Sequence, residues 1–144
     1  MVDVLYELVE DATEADPDAF LDAYLSSLSA VVEQAGRERA VESGVDEATV
    51  DAVLSGERTD LTVTDASRLL ALDNSFPDWE TVRNETLDHI LLGMTTAILD
   101  VDTVAANLSL DVTATEIQQR IEGRAEMTLT EYAHIHALLV DRQS

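Results

Sequence analysis

Six residues near the C-terminal end of the chain have the types and spacing of a surface that reads nucleic acid: Thr113, Thr115, Gln118, Gln119, Arg120 and Arg124. If Ala114, Ile117 and Ile121 turn inward on a helix, these polar side chains face solvent. Glutamine can pair bidentately with adenine, and arginine with guanine or a phosphate. Each good base contact contributes about 1–3 kcal/mol of discrimination. Glu116 and Glu122 on the same helix oppose phosphate. The corresponding helix earlier in the chain carries Asp46, Glu47 and Asp51, which repel phosphate, so it is expected to be a solvated acidic face.

No other constellation points to chemistry. His134 and His136 are two residues apart, so on a helix their side chains diverge by about 200° and cannot share a metal. Asp100 and Asp102 lack the glycine-bearing loop of a calcium site. No serine or histidine stands in a nucleophile-elbow context, and there is no glycine-rich phosphate loop. With no cysteine, disulfides and thiolate chemistry are excluded. The expectation is a protein that is not an enzyme and needs no cofactor or metal.

The elements that would position the reading surface occur twice. Val50, Leu54 and Gly56 align with Ile117, Ile121 and Gly123; Thr62, Asp65, Leu69 and Leu72 align with Thr128, Glu131, Ile135 and Leu138. An offset of about 66 residues is too long for a usual solenoid period and fits two copies of a small helical domain. The expected organisation is an amphipathic segment over 1–15, a first domain over 16–74 and a second over 75–144. The segment places Val2, Leu5, Leu8 and Val9 at helical spacing.

Within the first domain, Asp16-Pro17 opens a helix carrying Phe20, Tyr24, Leu28, Val31 and Val32, ending at Gly36. A short helix follows from Arg37 to Ser43. A third is capped by Asp46 and ends at Gly56, and a fourth is capped by Thr62. Asp73 to Phe76 reads as the linker. In the second domain a long helix runs from Asp78 to about Leu99, with Val82, Thr86, Ile90, Met94 and Ile98 on one inward stripe. Asp102 is expected to cap the next helix. Thr113 with Glu116, and Thr128 with Glu131, have capping-box spacing.

Composition limits the alternatives. Of 144 residues, 46% are hydrophobic but only 4% aromatic, so the core must be built from aliphatic side chains. There is no lysine, and the net charge of -22 is spread along the chain. Such a surface suits concentrated salt, where the Debye length is about 3 Å at 1 M and self-repulsion is screened. No apolar run reaches the ~20 residues that span a bilayer, and the N-terminus lacks the basic region of a signal peptide. A cytoplasmic location without membrane partners is expected.

The order of helices resembles the phage-repressor helix-turn-helix superfamily typified by Cro. In the first copy the residues carrying this are Ala40, Gly44, Val45, Val50, Leu54, Gly56, Leu61, Ala66 and Leu69. In the second they are Ala105, Val112, Ile117, Ile121, Gly123, Met127 and Ile135. The segment from His89 to Asp102 (HILLGMTTAILDVD), with Ala105 to Gly123, also resembles an uncharacterised family of haloarchaeal proteins. The resemblance implies an all-α chain of two tandem repressor-like helix-turn-helix domains packed together. Its expected role is transcription-regulator-like, with DNA bound through the second domain at the six residues above. The alternative is a non-catalytic adaptor that pairs with itself as a homodimer or with another protein.

Overall fold

The computed structural model describes residues 16–57, 60–108 and 110–143; the amphipathic segment over 1–15 lies outside them. The described residues form eight α-helices: α1 (Pro17–Ala35), α2 (Arg37–Glu42), α3 (Glu47–Ser55), α4 (Val63–Leu70), α5 (Trp79–Ala97), α6 (Val101–Asn107), α7 (Ala114–Ile121) and α8 (Leu129–Gln143). The fold is all-α.

Local chemistry sets most of the helix starts. The Asp16, Asp46 and Thr62 side chains accept backbone N–H groups of α1, α3 and α4, satisfying donors that the helix itself leaves free. Thr113 with Glu116 forms a reciprocal capping box on α7. Thr128 and Glu131 make the same exchange on α8, at 2.9 and 3.1 Å. Gly56 ends α3 in the left-handed conformation, φ 78°.

Two expectations fail at one corner. Helix α5 ends at Ala97, and Ile98 adopts the left-handed conformation (φ 57°, ψ 51°). Asp100, and not Asp102, then caps α6 by accepting the Thr103 N–H at 2.8 Å. Because the chain leaves the helix at Ile98, that side chain does not continue the stripe of Val82, Thr86, Ile90 and Met94. Those four are buried, while Ile98 is 90% exposed.

The helices share one hydrophobic core. Helix α1 packs on α3, α4 and α8, and α5 packs on α7, α8 and α4. Exchanging α1–α4 for α5–α8 maps the contacts α1·α3, α1·α4, α2·α3 and α4·α5 onto α5·α7, α5·α8, α6·α7 and α8·α1. The mapping is broken at α6, which also rests on α8. Thr62 and Thr128, equivalent positions of the sequence repeat, face each other in an isolated antiparallel bridge. There the Val63 N–H donates to the Met127 carbonyl and the Leu129 N–H to the Leu61 carbonyl, each at 2.7 Å. Buried rings join the first helix to the last: Phe20 meets Tyr132 edge-on at 5.6 Å, and Tyr24 meets Tyr132 at 6.4 Å.

Candidate functional site

On α7, Ile117 and Ile121 are buried, which turns Thr115, Gln118 and Gln119 out to solvent. Thr113 is exposed, but its hydroxyl accepts the Glu116 N–H at 3.1 Å, so it serves the helix start. The answering bond from the Thr113 N–H to the Glu116 carboxylate holds that carboxyl below the usual range. The Gln118 amide donates to the Glu122 carboxylate at 3.0 Å, and Arg124 pairs with the same carboxylate at 2.8 Å. The Gln118 bond, then Arg124, lowers the Glu122 pKa.

Arg120 does not face outward as expected. Its side chain is 20% exposed and turns back, with Nη1 3.1 Å from Glu131 and Nη2 3.6 Å from Glu116. Glu131 is only 9% exposed, and a carboxylate so far from water needs a cation beside it. Arg120 therefore ties α7 to the start of α8. Of the six expected residues, Thr115 and Gln119 are the two whose side chains are exposed and have no side-chain hydrogen bond or ion pair among the described residues.

Three other arginines also hold helices together. Arg37 grips Asp51 on α3 with two bonds, at 2.6 and 3.1 Å, and approaches Glu47 at 3.5 Å. This lowers the Asp51 pKa and accounts for part of the acidic face of α3. Arg68 lies over the Trp79 ring at 4.5 Å and donates to the Ser43 carbonyl in the turn before α3. Arg83 donates to the Gly123 carbonyl after α7 and to Thr64 on α4.

His134 and His136 take separate structural places. His134 Nδ1 lies 2.8 Å from the Thr130 carbonyl. His136, 2% exposed, stacks on Phe20 at 4.3 Å with the His89 ring 5.9 Å away. Burial, then the neighbouring His89, pushes its pKa down to about 4. Its Nε2 has no hydrogen-bond partner among the described residues, so an added proton there would lack an acceptor.

Sequence reasoning missed a second surface. Leu91 (46%), Leu92 (62%) and Ile98 (90%) are the large apolar side chains left exposed among the described residues. The signal was available: Ile90, Leu91 and Leu92 are consecutive, and a helix cannot turn three successive side chains into one core. No single helix among the described residues is long and apolar enough to cross a membrane. Helices α5 and α6 reach that length only together, across a 94° bend.

A protein-family model described as a family of unknown function (DUF5791) matches residues 20–142. Comparisons with curated proteins and with solved structures give no significant match. The match covers α5 with its exposed leucines, α7 with its polar face and the core between them, and by it the chain belongs to the DUF5791 family.

Proposed function

We propose that this chain is a non-catalytic protein–protein interaction module, acting in the cytoplasm on a scaffold of two helix-turn-helix-like halves. The observation that carries this reading is the contrast between its two candidate surfaces. On α7 the groups best suited to phosphate and guanine, Arg120 and Arg124, are paired with Glu131 and Glu122. At the C-terminal end of α5 and just past it, three large apolar side chains, Leu91, Leu92 and Ile98, stand in water. Guanidinium groups already matched by carboxylates offer little to a polyanion, whereas clustered exposed apolar side chains mark a surface meant to be covered. The acidic, lysine-free surface weakens non-specific attraction to nucleic acid further.

A second reading, transcription-regulator-like DNA recognition through α7, draws on Thr115 and Gln119, which remain exposed on that helix. Affinity purification from a native high-salt extract, with and without nuclease, separates the two. The expected result is a stoichiometric co-purifying protein that survives nuclease, with no enriched DNA. Enrichment of a defined DNA sequence, lost on Thr115→Ala and Gln119→Ala, would overturn the module reading in favour of DNA recognition.

A further inference from the structure

Leu91 and Leu92 lie in the last two turns of α5 with Thr95 one turn further on the same side, and Ile98 is the first residue past the helix end. The polar groups among them are already satisfied. The Thr95 and Thr96 hydroxyls donate to the Leu91 and Leu92 carbonyls at 3.0 and 2.9 Å. Covering this face with an apolar partner therefore strands no hydroxyl.

Ile98 sharpens the case. A left-handed residue at a helix end is ordinarily glycine or asparagine, and a side-chain-bearing residue there costs roughly 1–2 kcal/mol. Ile98 is β-branched, lies at φ 57° and is 90% exposed. The Ile98 and Leu99 N–H groups close the helix on the Thr95 and Met94 carbonyls at 3.2 and 2.9 Å, which compensates the backbone strain, while the exposed apolar side chain has no such compensation within the chain. Contact with another molecule would cover that side chain.

Charge selects the occupant. Asp88 is exposed one turn before the leucines, and Asp100 and Asp102 are exposed just after Ile98. The nearest arginine on α5, Arg83, is turned to Thr64 and Gly123. A second copy meeting this face with its own would bring the same carboxylates, and the chain as a whole carries 8 arginines against 30 aspartates and glutamates. The chain's own residues 1–15 carry Asp3, Glu7, Glu10, Asp11 and Glu14 without a cation. An anionic membrane repels this rim in the same way.

We infer that the surface formed by Leu91 and Leu92 of α5 and by Ile98 just past its end docks an amphipathic helix of a partner protein whose apolar ridge is flanked by lysine or arginine. This rests on the interaction-module reading and names its surface and partner chemistry.

The test uses the full chain and two synthetic helical peptides with leucine at i, i+3, i+4 and i+7, one flanked by lysine and one by glutamate. Binding is followed by fluorescence anisotropy at the lowest salt that retains the melting transition. The lysine-flanked peptide is expected to bind at least about tenfold tighter than its partner, and Leu92→Asp to weaken it at least about tenfold. Ile98→Gly should weaken binding while holding or raising Tm, a combination that a purely structural role for Ile98 does not give.

Absence of binding by the lysine-flanked peptide, or equal binding by wild type and Leu92→Asp, overturns the inference. So does a wild-type dimer in light scattering that Leu92→Asp dissolves, which would assign the face to a second copy. Retention on phosphatidylglycerol vesicles that Leu92→Asp abolishes would assign it to a membrane and also overturns it. A nuclease-resistant complex with a native partner that ignores both substitutions would sink this surface and leave the module reading standing. Absence of any such complex would remove the module reading itself.

Discussion

Arg120 and Glu131 show how a side chain suited to one task is committed to another. Glu131 accepts the Thr128 N–H and faces Arg120. Removing the guanidinium leaves a nearly buried charge with a single compensating bond. Arg120→Ala is therefore expected to destabilise the fold by about 1–3 kcal/mol, whereas Gln119→Ala stays within about 0.5 kcal/mol. Urea denaturation of the two variants checks this; equal stabilities would show that the pair holds nothing. It also follows that loss of a ligand in Arg120→Ala would not identify a ligand contact. His136 makes a second prediction at this scale. The unfolded chain protonates its histidines near 6.5, and the folded chain protonates His136 only at about 4. Between those values the unfolded state holds more protons. Stability is complete above the upper value and falls as pH drops through the window, approaching about 3 kcal/mol. The lowered carboxyls of Asp51, Asp100, Glu116 and Glu122 add their losses at lower pH, as they protonate in the folded state. His136→Phe keeps an aromatic ring on Phe20 and should flatten the slope of unfolding free energy between pH 4 and 6.5, read from urea titrations across that range. An unchanged slope would place the titration elsewhere.

At the scale of elements, the turns before and after α3 make different demands. Gly44 has φ 107°, and a Cβ built on it would collide with the Arg68 guanidinium that donates to Ser43. Gly56 has φ 78° and open space where its Cβ would stand. Gly56→Ala should cost about 1 kcal/mol, the left-handed penalty alone. Gly44→Ala should cost about 2–4 kcal/mol, because it adds the displacement of Arg68 from Ser43 and Trp79. Thermal melting of both variants checks the order, and equal losses would mean that Arg68 yields freely. The same contrast explains what was legible in the sequence. The Asp16, Asp46, Thr62, Thr113 and Thr128 caps were readable because each depends on residues within three positions. The fate of Ile98 was not readable. Whether α5 continues or breaks there depends on how α6 seats against α7 and α8, and that contact lies outside any local window. The inward turn of Arg120 was half legible: Glu116 lies four residues before it, but Glu131 arrives from another helix.

At the scale of the whole molecule, the sequence repeat announced two similar halves without announcing how far they depend on each other. The first helix packs on the last, α4 packs on α5, and the Thr62–Thr128 bridge joins the equivalent loops. Phe20 and Tyr24 from one half and Tyr132 and His136 from the other form a single aromatic cluster. A helical unit of about 70 residues rarely gains more than 3–5 kcal/mol from its own core, and here much of each core faces the other half. Residues 75–144 alone would expose Tyr132 and His136, both buried in the intact chain against Phe20. Burial of each large apolar side chain contributes about 1.5–3 kcal/mol, so losing these contacts removes most of what the half can gain. The full chain is therefore expected to unfold in one cooperative transition, seen together by far-UV circular dichroism and Trp79 fluorescence. Phe20→Ala should lower the stability of that one transition by about 3–5 kcal/mol without splitting it. The fragment 75–144 should show little cooperative melting until the fragment 16–74 is added, when helicity should return. A fragment 75–144 that melts as sharply as the intact chain would mean that the shared aromatic cluster merely joins two independent domains, and the family match across both halves would then record linkage in sequence more than dependence in folding.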